Sequence, residues 1–185
     1  MIDENRIFLV FRKSNVAFVF VPKTGCSTLK VMASKESDNI YEKNRPECKV
    51  FCFVRNPYSR VYASFMHYMR SDDPNQQGWK RKLKGYNEFN SFVRNRLKFL
   101  SEHDWHFKPM RYFIELCPDA EVRRFENFGS DVKEILGSVI LKNEYKKPDY
   151  RQVYNDESRL IVGQLYKWDI ENLGYSFNPT TGVTD

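Results

Sequence analysis

The chain has 185 residues and a mass of 22.1 kDa, room for one domain with one sizeable core. Apolar residues make up 41% and charged residues 29%, which excludes disordered, collagen-like and mucin-like readings. Lys and Arg outnumber Asp and Glu by 30 to 24, a net charge of +6, which permits an anionic partner without choosing among nucleotide, nucleic acid, sulfated glycan and membrane surface.

No run of 18 apolar residues occurs, so no membrane span is expected. The opening MIDENRIFLVFRK is too polar for a secretory signal. Cys26, Cys48, Cys52 and Cys117 lack paired CxxC spacing and read as reduced, mostly buried thiols of a cytoplasmic protein.

Residues 7–11 and 16–21 are apolar runs separated by the polar RKSN, which predicts two strands able to pair as a hairpin. The second run lacks alternation, as in a central parallel strand buried on both faces. It is followed by Pro22-Lys-Thr-Gly-Cys-Ser-Thr28, a loop composition, and by a helix over 28–34. Residues 35–48 are polar and partly irregular. Residues 49–54, KVFCFV, form a second unalternating strand ending in Arg55-Asn-Pro57. A helix follows over 58–70, with Pro57 in its first turn.

Residues 71–85 contain Pro74, Gly78 and Gly85 and read as a flexible loop. A helix is expected over 87–100, with Phe89, Phe92, Val93, Leu97 and Leu100 aligned. A strand is expected over 122–125. Ser130 and Asp131 are candidate caps for a helix over 132–136. A last helix spans 156–173, and 178–185 form a tail. Two buried strands, each followed by a loop and a helix, predict an α/β fold in a single domain over 1–185. Its expected sheet is parallel and P-loop-like, flanked by helices. In such folds ligands bind at the carboxyl ends of the strands, here segments 22–28 and 55–59.

The first of these segments has the makings of an anion cradle. Gly25 allows a tight turn. The N–H groups of residues 25–28 lie at a helix start, where the partial positive charge sits. Ser27 and Thr28 add hydroxyls, and Lys23 adds an ammonium. The segment is not a Walker A motif, because Lys23 precedes the glycine.

The stretch Val21-Pro-Lys-Thr-Gly-Cys-Ser-Thr-Leu29 resembles the 5′-phosphosulfate-binding loop of sulfotransferases that use 3′-phosphoadenosine 5′-phosphosulfate (PAPS). Phe53-Val-Arg-Asn-Pro-Tyr-Ser-Arg60, continuing to Phe65, resembles their 3′-phosphate-binding segment. His106-Phe-Lys-Pro-Met110 is similar to the His-aromatic-x-Pro-Gln stretch of the carbohydrate (Golgi-type, family 2) sulfotransferases. Weaker matches follow at Arg124–Asp131, Leu165–Asp169 and Gly174–Phe177. The resemblance spans roughly residues 16–177, with the segments in the same order.

The resemblance implies roles residue by residue. Lys23 would contact the bridging and sulfuryl oxygens. Thr24, Gly25, Cys26, Ser27 and Thr28 would cradle the 5′-phosphate. Arg55 would pair with the 3′-phosphate, where a guanidinium fork suits a phosphate dianion. The family's usual Ser, eight residues after that Arg, is Ala63 here, and Ser64 follows as a substitute.

The implied reaction moves a sulfuryl group from PAPS to a hydroxyl acceptor, expected to be a carbohydrate, by in-line displacement without a metal. The general base is open between His106, the first choice, and Glu36 or Glu42, which lie between the cradle helix and the Arg-bearing strand. His67 and His103 are weaker candidates. The family's eukaryotic members are Golgi-anchored, so the alternative to a cytoplasmic protein is a trimmed luminal domain.

Two rival readings remain. A nucleotide-dependent kinase or NTPase would share the cradle and the fold. A basic binding module for nucleic acid or sulfated glycan would use residues 79–98, which hold seven basic residues and one acidic one. The aromatics of that segment sit at helix-face spacing and read as core, so no nucleic-acid partner is expected. As that segment carries the whole net charge, its expected role is recognition of an anionic acceptor.

Overall fold

The computed structural model describes residues 6–38, 40–70, 88–139 and 149–178. The expected loop at 71–85 and all but the first residue of the expected tail lie outside them. Read from sequence as one domain, the described residues gather into two compact units. Residues 6–55 and 110–139 form a sheet-bearing unit. Residues 56–109 and 149–178 form a helical one.

The sheet-bearing unit opens with β1 (Phe8–Phe11) and β2 (Val16–Val19). A four-residue turn joins them, and its last residue, Asn15, is left-handed with φ 52°, a conformation asparagine tolerates. After β2 come α1 (Cys26–Ala33), the short β3 (Tyr41–Glu42) and β4 (Lys49–Val54). The chain re-enters the unit with α5 (Met110–Glu115), β5 (Glu121–Arg124), a 3-10 turn at Phe125–Asn127 and α6 (Phe128–Leu136).

The strand order is β3-β1-β2-β4-β5. The β2–β4 and β4–β5 pairs are parallel, with Phe18 opposite Phe51 and Val54 opposite Arg124. The expected parallel sheet is thus a mixed one, because β1 runs antiparallel to both β2 and β3. The reason is the length of the β1–β2 connection: four residues close a hairpin, whereas a parallel crossover needs a dozen or more.

One face of the sheet packs Leu9, Phe11, Phe18, Phe51 and Phe53 against Leu29, Met32 and Ala33 of α1 and Phe128 and Val132 of α6. Phe18 stacks on Phe51 and Phe53 at 5.6 and 5.9 Å. Residues Val50, Cys52 and Val54, which alternate with these on β4, are also buried. Burial on both faces is why this run shows no alternation. Helix α6 begins earlier than expected. Phe128 is its first residue, and Ser130 lies inside the first turn with its hydroxyl donating to the Asn127 carbonyl at 2.8 Å. Neither Ser130 nor Asp131 is the cap. The contact of Phe128 with Phe53, at 5.0 Å, outweighs the helix-breaking tendency of Gly129.

The helical unit contains α2 (Pro57–Arg70), α3 (Phe89–Asn95), α4 (Leu97–His103), a 3-10 turn at Tyr150–Gln152, α7 (Asp156–Leu165) and α8 (Lys167–Asn172). Its core joins Tyr58, Val61, Phe65 and Tyr68 of α2 to Phe89, Phe92, Leu97, Leu100, Phe107, Val162 and Tyr166. The aromatics at 89 and 92 are core residues, as their spacing implied. Two helices expected as continuous are each broken once, at Arg96 (φ −129°) and at Tyr166 (ψ 27°). No glycine or proline marks either break. The second turns the Tyr166 ring inward, where its hydroxyl donates to the Phe107 carbonyl.

Candidate functional site

In the sheet-bearing unit, the loop after β2 is shaped by its own backbone. Lys23 has φ 69° and Gly25 φ 87°. A left-handed lysine costs roughly 1–2 kcal/mol, and such strain gathers at functional sites. Gly25 is required twice over. Its φ is positive, and a Cβ there would lie 2.2 Å from the Phe128 ring. The buried Thr24 hydroxyl donates to the Val21 carbonyl at 2.9 Å, closing the turn.

Gly25 is the N-cap of α1 and supplies no side-chain hydrogen bond to it, and no acidic residue occupies the first turn. The local field favours negative charge. Burial holds the Cys26 thiol above its ordinary range and outweighs the Lys23 and Ser27 backbone N–H groups, the Lys23 ammonium and the Ser27 hydroxyl, which all pull it down. Donors that stabilise an anionic sulfur at this point are the donors a phosphate needs.

Arg55 follows directly on β4 and is buried. Its guanidinium donates to the Lys23 carbonyl at 3.2 Å and lies over the Phe125 ring at 4.6 Å. The two segments singled out in sequence therefore meet at the carboxyl ends of the parallel strands β2 and β4. Phe125 and Phe128, which shape this end of the unit, lie in the stretch Arg124–Asp131, which the sequence marked only as one of the weaker matches.

In the helical unit, the loop from Asp104 to Lys108 is held by side chains. Four successive carbonyls accept hydrogen bonds from buried groups. Arg60 donates to Trp105 at 3.0 Å and to Lys108 at 2.6 Å. Ser64 donates to His106 at 2.8 Å, and Tyr166 donates to Phe107. The Asp104 carboxylate accepts from the Tyr68 hydroxyl at 3.0 and 3.1 Å and from the His106 backbone N–H at 3.0 Å. The His106 ring nitrogen Nδ1 lies 2.9 Å from the Tyr68 oxygen and 3.2 Å from Asp104 Oδ1. His67 stacks on His106 at 5.4 Å. His106 was legible as a candidate. Tyr68 and Asp104 were not, being far apart in the chain and in no recognisable spacing.

The remaining candidates are engaged elsewhere. Glu36 accepts from the Lys13 N–H at 3.0 Å, so it lies by the hairpin turn at the far end of β2 from the cradle. Glu42, on the edge strand β3, is ion-paired with Arg12 at 3.0 Å. His103 is exposed, with Nδ1 on the Phe99 carbonyl at 2.8 Å and its ring on Phe99. The Ser64 hydroxyl proton goes to the His106 carbonyl rather than to a phosphate position. In the basic segment, Lys80, Arg81, Lys82 and Lys84 lie outside the described residues, while Arg94 pairs with Glu157.

Among the described residues no group of three or more His, Cys, Asp or Glu is arranged to hold a metal ion, and no helix is long and apolar enough to cross a membrane. None of the four cysteines is in a disulfide, Cys52 and Cys117 being buried and Cys26 and Cys48 partly so. No family model matches the chain, and no curated protein or solved structure is found similar to it.

Proposed function

We propose that the chain is a PAPS-dependent sulfotransferase that transfers the sulfuryl group to a hydroxyl acceptor, a carbohydrate by the resemblance of the His106 segment. The observation that carries the reading is the Arg55–Lys23 hydrogen bond. It joins the two segments that resemble the donor-binding segments of this enzyme class, at strand ends where α/β folds bind ligands. The local fit is good: an uncapped helix start, a left-handed glycine no side chain could replace, a lysine and a buried arginine suit a nucleotide with separated phosphates.

PAPS would supply the activated sulfuryl group. The N–H groups of residues 25–27 bind the 5′-phosphate, while the Thr28 N–H is taken by the Gly25 carbonyl at 2.9 Å and Thr28 offers its hydroxyl; the Lys23 ammonium neutralises the charge that builds on the leaving oxygen. Arg55 has five N–H donors, so a bond to the Lys23 carbonyl is compatible with an anionic partner. His106 takes the acceptor proton. Glu36 and Glu42 have no part in this scheme, given their partners. The basic run at 79–98 favours an anionic acceptor, such as an acidic or already sulfated glycan.

The test is ligand-dependent thermal unfolding followed by turnover. Adenosine 3′,5′-bisphosphate should raise the melting temperature in the presence of a chelator, and labelled PAPS should then label a hydroxyl acceptor from a panel of glycans, phenols and alcohols. Protection by Mg-ATP alone would replace this reading with a kinase or NTPase. Steep salt-dependent binding of nucleic acid, with no response to the bisphosphate, would replace it with a basic binding module.

A further inference from the structure

The polar cluster in the helical unit has an internal logic of its own. Asp104 is 2% exposed, whereas the His106 side chain keeps 26%. The carboxylate is thus shielded from solvent and the imidazole is not. The Asp104 carboxylate can only accept hydrogen bonds while ionised. The Tyr68 hydroxyl lies within 3.1 Å of both of its oxygens and 2.9 Å from His106 Nδ1; an ionised carboxylate is the stronger acceptor, so the tyrosine proton goes to Asp104. Burial, and then the adjacent Asp104 charge, push the Tyr68 hydroxyl far above its ordinary pKa, so it keeps that proton. His106 Nδ1 then faces two oxygens, Asp104 Oδ1 and Tyr68 Oη, neither of which has a proton to give it. A bare lone pair at Nδ1 would be repelled by both, and an N–H there satisfies both.

We infer that Asp104, seconded by Tyr68, fixes His106 in the Nδ1–H tautomer and so makes Nε2 the proton acceptor of the site. This rests on the reading of His106 as the base, and it makes Asp104 a positioning residue for that base. When Nε2 takes a proton from the acceptor hydroxyl, the ring becomes an imidazolium and Asp104 stabilises it without being protonated itself. The carbonyl contacts from Arg60, Ser64 and Tyr166 keep the loop from turning the ring away. The other ionisable groups around the ring are His67 and Tyr68 on α2, the Arg60 guanidinium on the carbonyls to either side, and Lys108 on the loop itself. A cationic His67 or Arg60 opposes protonation of His106, and Asp104 is the ionised carboxylate in direct contact with Nδ1.

The experiment is long-range nitrogen–proton NMR of the imidazoles in the intact protein, with His106 assigned by comparison with His106→Gln. The wild type should show Nδ1 protonated and Nε2 bare in the neutral ring. Asp104→Asn should lose that preference and titrate at lower pH, and its kcat should fall on the order of 10²–10⁴ with acceptor KM little changed. Its ascending pH–rate limb should move to lower pH. If Asp104→Asn does not fold, Tyr68→Phe decides, because it leaves the ring volume intact. It should weaken the tautomer preference and lower kcat less. A wild-type His106 protonated at Nε2, or a tautomer indifferent to both variants, overturns the inference. If the spectra are as expected but His106→Gln keeps full turnover, the tautomer assignment stands and the reading of His106 as the base falls.

Discussion

The loop Pro22–Thr28 and the loop Asp104–Lys108 hold their residues in opposite ways. The first is shaped from within. Two left-handed residues and the Thr24–Val21 contact bend it, Arg55 reaches in to its Lys23 carbonyl, and its amide groups provide the chemistry. The second is shaped mainly from outside: its carbonyls from Trp105 to Lys108 are each held by a side chain from elsewhere in the helical unit, while the Asp104 carbonyl accepts from the Phe107 and Lys108 N–H groups. A backbone cradle tolerates changes of side chain but not of glycine. A side-chain scaffold tolerates changes of backbone propensity but not of its donors.

The sharpest way to break this comparison is Lys23→Ala. On the oxyanion-donor scale it should lower sulfuryl transfer by roughly 10²–10³, with a melting temperature near wild type, since the backbone and not the ammonium shapes the loop. Activity within about threefold of wild type would remove Lys23 from the chemistry. Next comes Arg60→Met, which strands the Trp105 and Lys108 carbonyls. It should cost about 2–4 kcal/mol in urea unfolding, and a near-neutral result would mean that the second loop holds itself.

A smaller effect separates two glycines. Gly25→Ala meets the Phe128 ring and an unfavourable φ, and should cost about 2 kcal/mol. Gly129→Ala, inside α6 with nothing within 4 Å of its Cβ, should instead stabilise by about 0.5–1 kcal/mol. Equal effects in a denaturant titration would show that Gly25 is not needed for its conformation.

The smallest effect is on the surface and serves as a control for both loops. Hydrogen bonds from the Arg45 guanidinium, and then from the Cys117 thiol, hold the Asp119 carboxyl at about 2. Unfolded, it protonates near 4. Its contribution to stability is therefore complete above about pH 4 and lost as the pH falls toward 2. Asp119→Asn should flatten the acid-unfolding curve slightly in that window and leave turnover unchanged.

The two loops also differ in how far they could be read from sequence. Strand β4 was legible to the residue, because KVFCFV is apolar without alternation and is bounded by polar residues. The cradle followed, since its glycine, lysine and hydroxyls are contiguous. The pairing of β1 with β2 was legible too, because two apolar runs only four residues apart close as a hairpin; its second partner, β3, was not, because Tyr41-Glu42 is too short to stand out in a polar stretch. The breaks at Arg96 and Tyr166 carry no glycine or proline. They arise from packing, which a single helix's pattern does not contain. The start of α6 was missed for a related reason: Phe128 extends the helix through a contact with Phe53, from a distant strand. His106 was visible as a residue, but its partners were not. Tyr68 reads as one more aromatic on the core face of α2, and Asp104 as an ordinary polar residue between helices.

The order of the strands has a consequence for how the chain is made. β4 and β5 are hydrogen-bonded neighbours, yet the segment between Val54 and Glu121 includes all of α2, α3 and α4. During synthesis β1, β2 and β4 emerge together and can pair, while the outer edge of β4 waits for a partner many residues later. Closing so long a loop is slow. Meanwhile the edge Val50-Phe-Cys-Phe-Val54 is apolar, rich in β-forming residues and free of charge, the kind of segment that templates intermolecular pairing. Nascent chains that stop short of Glu121 should therefore aggregate through β4, and the yield of soluble protein should depend on how quickly β5 arrives.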